Sequence, residues 1–483
     1  MVNDQGKTRK TKLIYVGNIG IIISIFIFIS GLASQDSLGL LLAVSVIWIS
    51  LVIYNFDRHR FALFSFYITF FAFLLGTAIV GYFDETVSLR FNGEEALLHT
   101  YKCLYIALIA VHIGSWFAGN TKFRIRKRVY DSKESTNEGY KDNSSIRIAS
   151  KYFFLFCSVF SIALALEKMA FTLITGSYTL SYINLKSSLP SFFQKIDGMT
   201  LYAFFIYLAC LPDPKKSKLV FADQFLISIL LLIYGQRSPI VMTVLTIALY
   251  IVLYENEIGE PFKYIKKRTY VLALAIFPFL LTFFDFLMAF RDGRTYTFVG
   301  LWNSVEHIIA SLGGSVNVIG YGYTYSNSFP ANKIYSLGGV IDFITKNIFS
   351  RLIFGTEVYS GYSAQYALNG NSFSHAITYI VKPTSYLAGY GMGSSYIAEA
   401  FHDFGYVGVI IFSFLYGVIL QKVGYIKRGK TIRNAVIIMA TYFILVAPRS
   451  NADSFIAEFF NFSFLLTVAV IYFFSRTVKT FKQ

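Results

Sequence analysis

The chain has 483 residues, of which 55% are hydrophobic and only 14% charged, and its mean hydropathy is +0.55. A soluble protein carries about 25% charged residues, so composition excludes a water-soluble globular fold and points to an all-α polytopic membrane protein. The net charge of +16 would suit a nucleic-acid surface, but no binding fold accompanies it, and its distribution follows membrane topology instead.

A span needs about 20 apolar residues. Twelve segments fit to within several residues: 13–33, 38–56, 61–82, 98–119, 152–171, 196–211, 219–235, 239–254, 269–290, 405–421, 434–448 and 454–475. The first is too long for the apolar core of a signal peptide and reads as a retained span. After the fourth comes the loop 121–151, polar, charged and without apolar periodicity, which reads as a flexible linker. Cys103, Cys157 and Cys210 lie in or at the end of apolar segments and form no CxxC pair. They read as packing residues, with neither a disulfide framework nor a metal site indicated. Residues 1–290 thus hold nine transmembrane helices, 291–404 one large loop, and 405–483 three more helices.

Charge sets the orientation. An even number of spans puts both termini on one side. The segments on that side hold about 30 Lys/Arg, including Arg126-Lys127-Arg128 and Lys266-Lys267-Arg268, against about 11 on the other. By the positive-inside rule both termini are cytoplasmic and the 291–404 loop faces the opposite side. The basic excess also attracts anionic membrane lipid.

The large loop is not disordered in composition. Ile341, Ile344, Ile348 and Leu352 recur at helical spacing, which predicts one amphipathic helix lying on the membrane or covering the spans. Twelve tyrosines fall between Arg291 and Phe404, mixed with Asn, Gln and Ser. They fit sugar rings, which want a flat apolar face beside hydrogen-bonding groups, and equally fit headgroup-level anchoring.

Arginines cluster at the outer ends of spans. Arg237 sits in the tight turn YGQRSPIV, with Ser238 as the expected N-cap and Pro239 as the first helical residue. Arg291 and Arg294, in MAFRDGRTY, follow the ninth span, and Arg449, in VAPRSNADSF, precedes the last, where Ser450 or Asp453 is the expected cap. Any one of these reads as a snorkelling side chain. Together, on the side that should be poor in positive charge, they read as a diphosphate site, for which arginine's planar fork is suited.

A second constellation is GYGMGSSYIAEAFHDFGYVG, residues 389–408. Glu399, His402 and Asp403 stand at i, i+3 and i+4, so a helix places them on one face. A carboxylate or imidazole there could take a proton from a sugar hydroxyl; the plainer reading is a polar helix end. His307 and His375 read as loop histidines. Asp36, Asp285, Glu167, Lys168 and Glu458, in or near spans, read as groups satisfied within the bundle.

These features resemble the bacterial O-antigen or oligosaccharide repeat-unit polymerases of the Wzy type. The likeness rests on the twelve-span layout with its late outer loop and on Gly235-Gln236-Arg237. It rests also on Arg291 closing the ninth span, the Gly-rich stretch from Gly391 to Gly408, and Arg449 before the last span. The resemblance implies a GT-C-like architecture and an inverting glycosyl transfer needing neither metal nor other cofactor. Donor and acceptor would be undecaprenyl-diphosphate-linked oligosaccharides at the periplasmic face of the inner membrane. The product would be O-antigen or capsular polysaccharide, with a chain-length regulator as a possible protein partner and no role for nucleic acid. In that scheme Arg237, Arg291, Arg294 and Arg449 bind the diphosphate. Glu399 or His402 orients or deprotonates the acceptor hydroxyl, Glu399 slightly favoured. Related O-antigen ligases place a histidine where this chain has Ser394-Ser395, which disfavours a ligase. A lipid-linked oligosaccharide flippase is the other alternative; the long loop and the lack of an inverted repeat argue against it.

Overall fold

A computed structural model of the chain describes residues 2–83, 89, 93–120, 144–176, 185, 187–260, 263, 264, 266–291, 296, 300–346, 348–357, 359 and 361–480. The linker expected at 121–151 falls largely outside them. Every described regular element is a helix. The first four long ones are α1 (Val2–Ser34), α2 (Ser37–Tyr54), α3 (Arg58–Phe83) and α4 (Glu94–Asn120). Then come α5 (Ser144–Thr175), α6 (Ser191–Ala209), α7 (Lys218–Tyr234), α8 (Ser238–Ile258) and α9 (Lys267–Arg291). The loop region holds α10 (Leu301–Leu312), α11 (Val316–Thr324), α12 (Gly338–Thr345), α13 (Ile348–Phe354), α14 (Ala364–Asn369), α15 (Phe373–Val381) and α16 (Pro383–Leu387). The chain ends with α17 (Tyr396–Lys422), α18 (Thr431–Val446), α19 (Ser454–Ala457) and α20 (Phe462–Thr480).

Nine described helices are long and apolar enough to cross a membrane, ten if the bent pair Ser454–Phe460 and Phe462–Val478 is one span. They fall on ten of the twelve expected segments. The other two, 196–211 and 269–290, are helical as α6 and α9.

Two units make up the chain. The first comprises Met1–Thr121, Glu306–Gly424 and Phe443–Ala457; the second comprises Lys122–Val305, Tyr425–Tyr442 and Glu458–Gln483. In the first unit α4 and α17 pack closely because glycine lets them. A Cβ on Gly114 would collide with the Phe414 carbonyl, and one on Gly417 with the Val111 carbonyl. In an apolar solvent, where burial gives little driving force, such backbone approach supplies the packing. Asp36, near a span as expected, caps α2, its carboxylate accepting from Leu38 N and Gly39 N at 3.0 Å each.

The second unit joins its helices through paired hydroxyls and amides. Ser161 Oγ and Thr200 Oγ1 meet at 2.7 Å between α5 and α6, and Ser228 and Thr243 meet at 2.7 Å between α7 and α8. Asn434 Nδ2 donates to the Ala209 carbonyl at 3.1 Å. Several acidic groups expected to be satisfied internally are so: Glu167 accepts from Ser187 and Ser188, Asp285 from Ser304 Oγ, and Glu458 from the Tyr202 hydroxyl.

The loop departs from expectation in two respects. The single amphipathic helix is two, α12 and α13. The first ends at Thr345 and the second begins at Ile348, and Ser350 Oγ of the second donates to the Ile344 carbonyl of the first at 2.6 Å. Several tyrosines expected to offer faces to sugars or headgroups are core: Tyr321, Tyr335, Tyr386 and Tyr396 are buried. Hydroxyls among them find partners inside, as with Tyr386 on His375 Nδ1 at 2.8 Å and Tyr396 on Ser413 at 3.1 Å. Tyr325 and Tyr390 remain exposed.

Candidate functional site

The richest polar constellation among the described residues lies in the first unit, around the turn that joins α18 to α19. The turn begins as a short helical stretch, Ala447–Arg449, and runs through Ser450 to Asp453. It is held from two helices, by three residues. From α17, Glu399 Oε2 accepts the Ala452 N–H at 2.8 Å, while Ser394 Oγ donates to Glu399 Oε1 at 2.5 Å. Also from α17, the Tyr416 hydroxyl donates to the Ala452 carbonyl at 2.6 Å. From α12, the Val340 N–H donates to Asp453 Oδ2 at 2.9 Å. Glu399 and Asp453 are each only 1% exposed, so both carboxylates act as buried acceptors for backbone amides, which would otherwise lack partners.

Arg449 projects from this turn, half-buried, with its guanidinium carbon 5.9 Å from the centre of the Phe73 ring. Phe73 belongs to a π-helical turn of α3, Phe71–Leu75, closed by the Gly76 N–H on the Phe71 carbonyl. Turns of this kind recur at functional sites. A cation this close to an aromatic face is attracted by the ring's quadrupole.

His402 lies one helical turn beyond Glu399 and is half-buried on a bed of rings. Phe329, Tyr335 and Phe373 have centroids 4.4, 5.2 and 5.9 Å from its imidazole. No hydrogen bond to its ring nitrogens is present among the described residues. Asp403, beside it, is occupied: the Tyr335 and Ser336 N–H groups donate to its two oxygens at 3.1 and 2.6 Å. The three residues read as one helical face therefore share the helix but differ in role. Glu399 clamps the arginine turn, Asp403 clamps the 335–336 segment of the loop, and His402 is left with its nitrogens available. The helix breaks just after them, at Gly405 (φ 60°, ψ −152°), a conformation that glycine alone adopts cheaply.

The other arginines belong to the second unit. Arg237 sits between α7 and α8, in a tight turn as expected but one residue earlier in the chain. Gly235, left-handed at φ 116°, closes α7, with its N–H on the Leu231 and Leu232 carbonyls and Gln236 N on Leu231 O at 2.8 Å. Only Gln236 and Arg237 remain between the helices, so Arg237 itself takes the cap position. Ser238, expected there, is instead the first helical residue, and the Arg237 side chain makes no capping bond. Arg291 is the last residue of α9, and Arg294 lies outside the described residues. At the last turn, Ser450 does not cap. Asp453 fills the position through its backbone, its carbonyl receiving Ile456 N and Ala457 N at 2.8 Å each.

The sequence model of O-antigen polysaccharide polymerase Wzy matches residues 16–482. The chain belongs to that family. No curated protein and no solved structure matches it. Family and apolar helices together make this a multi-pass membrane protein of polysaccharide biosynthesis, whose general activity is O-antigen repeat-unit polymerisation. Lipid-linked oligosaccharides are the substrates that Wzy membership implies, and the ligase and flippase alternatives are not favoured.

For a Wzy chain, the groups missing from the sequence reading are those that hold the arginine turn: Asp453 as an anchor, Tyr416, and Phe73 under the guanidinium. Asp453 was visible only as a candidate cap. Burial raises its carboxyl to about 6, against the opposing pull of the Val340 and Gly339 amides. A carboxyl raised in this way favours the folded state where it is protonated. Its contribution to stability therefore falls as pH climbs from the unfolded value of about 4 through the folded one, and is level above. Asp453→Asn keeps an acceptor for Val340 and removes the titration. The melting temperature of this variant in lipid nanodiscs is expected to lose the decline that the parent shows across that pH window. A slope equal to the parent's would mean that another group titrates.

Proposed function

We propose that this polymerase joins undecaprenyl-diphosphate-linked repeat units at the periplasmic face of the inner membrane, by a metal-independent inverting displacement. The acceptor's sugar hydroxyl oxygen forms a bond to the donor's anomeric carbon, and the bond from that carbon to the diphosphate oxygen breaks. The electron pair leaves on the lipid diphosphate. Arg449 binds that leaving group, and Arg237, Arg291 and Arg294 are each proposed, separately, to bind lipid diphosphate. Guanidinium groups fixed where charge develops stabilise it without reorganising. The leaving group is good, so no strong general acid is needed. The hydroxyl proton passes to His402 Nδ1 or Nε2 and then to solvent, while Glu399 supports the site by holding the Arg449 turn. The product is O-antigen or capsular polysaccharide, and a chain-length regulator is a protein partner.

The observation that carries this reading is the anchoring of the Arg449 turn by two buried carboxylates and a tyrosine hydroxyl. Binding sites that must act on a charged transition state are held by supports of this sort. The decisive experiment is polymer formation by the purified protein in nanodiscs from a lipid-diphosphate-linked repeat unit, with and without a chelator. Elongation unaffected by chelation supports the scheme; loss of elongation restored by a divalent cation overturns its metal-independent part.

Orientation is tested separately. Both termini are proposed to be cytoplasmic and residues 291–404 periplasmic. A reporter that works only outside the cytoplasm, fused at the exposed Asn327, is expected to be active. Activity there of a cytoplasm-only reporter would place the arginine turns on the wrong side for this chemistry.

A further inference from the structure

The helices α12 and α13 leave a cluster of large apolar side chains uncovered. Leu352 is 78% exposed, Ile353 70%, Phe354 76% and Ile344 61%. The two helices are fastened to each other, by Ser350 Oγ on the Ile344 carbonyl, so these side chains belong to one corner. That corner is fastened in turn to the start of the last apolar pair. Val340 N donates to Asp453 Oδ2, and Gly339 lies so close to Ala457 that a Cβ there would approach Ala457 Cβ to 2.9 Å. Asp453 immediately precedes the bent pair of helices that qualifies as a span. The corner is thus tied to the residue that precedes this candidate span.

We propose that α12 and α13 dip their apolar corner, led by Leu352 and Phe354, into the bilayer surface beside the Arg449 turn. The occupant is phospholipid, at the boundary of headgroups and acyl chains. Uncovered apolar clusters of this kind mark interaction surfaces, and two features favour lipid over a protein partner. The first is the attachment at the edge of a span. The second is charge: Arg351 is exposed within the same apolar run. A basic group beside an apolar helix face suits phosphate headgroups above acyl chains. The corner would hold the 335–340 segment, and through Asp453 the arginine turn, at a fixed depth. It would also border the path by which a lipid-linked substrate reaches that turn. The insertion rests on the membrane reading of the chain and not on the proposed chemistry.

A photoreactive benzoylphenylalanine at position 354, and separately at 352, tests the proposal in native membranes, with position 327 as an exposed control. Irradiation followed by mass spectrometry of the full-length protein is expected to show phospholipid adducts at 352 and 354 and none at 327. Adducts to a second copy of the chain or to another protein, or no lipid adduct at either position, would overturn it. Because the readout is a covalent adduct, it is independent of polymerisation, so a failed mechanism and a failed insertion remain distinguishable.

Discussion

Arg449→Ala is expected to lower polymer formation by about 30- to 1000-fold at equal protein level, the equivalent of losing about 2–4 kcal/mol of transition-state stabilisation. The guanidinium is half-buried over Phe73 on a turn that cannot relax easily, because its Ala452 and Asp453 groups are tied to Glu399, Tyr416 and Val340. Alanine leaves that scaffold in place and removes only the charge and its donors, so the loss should fall on kcat more than on folding. Lysine is expected to recover activity only in part, since a point charge cannot reproduce a bidentate fork. Arg237→Ala and Arg291→Ala are expected to fall in the same range. Near-normal polymer from all three alanine variants would return these side chains to membrane anchoring.

His402→Asn is expected to cost about 100-fold or more, and Glu399→Gln much less. The contrast follows from what surrounds each group. Both oxygens of Glu399 are already taken, by Ser394 Oγ and the Ala452 amide, and a glutamine can keep an acceptor on Ala452. Glu399→Ala cannot, and should cost nearly as much as losing Arg449, with part of the loss appearing as a weaker apparent affinity for the lipid-linked donor. His402, lying on Phe329, Tyr335 and Phe373, is placed to meet a sugar hydroxyl. The pH–rate profile separates the two: its acid limb should disappear with His402 and persist in Glu399→Gln. The reverse pattern, with Glu399→Gln inactive and His402→Asn active, would make Glu399 the proton acceptor.

The helices were legible because hydrophobic length is a property of local sequence. Ten of the expected segments correspond to helices or a bent pair apolar enough to span, and the remaining two are helical. The arginine turns were legible in kind but not in detail. Nothing in YGQRSPIV announces that Gly235 closes its helix tightly enough to push the cap from Ser238 back to Arg237. The i, i+3, i+4 spacing of Glu399, His402 and Asp403 put them on one helix correctly, yet could not tell their roles apart. Those roles depend on Ala452, Tyr335 and Ser336, residues 53, 68 and 67 positions away from their partners in the chain. The amphipathic pattern of 341–352 was real, but the serine hydroxyl that bonds back onto the first helix acts over six residues, beyond any periodicity.

The wide turn at Phe71–Leu75 governs how this chain lines up with others. A ring closed between Phe71 and Gly76 accommodates one amino acid more than an α-helix would over the same rise. Deleting one residue together with the wide turn would leave both flanks in place, whereas closing the turn as an ordinary α-helix with every residue kept would rotate every later side chain by about 100° about the helix axis relative to those before. Phe73 could then no longer lie beneath Arg449 while Thr77 reaches the Ile309 carbonyl. A single-codon deletion that removes the wide turn would thus spare the register of both flanks, and a scan limited to point changes would miss that.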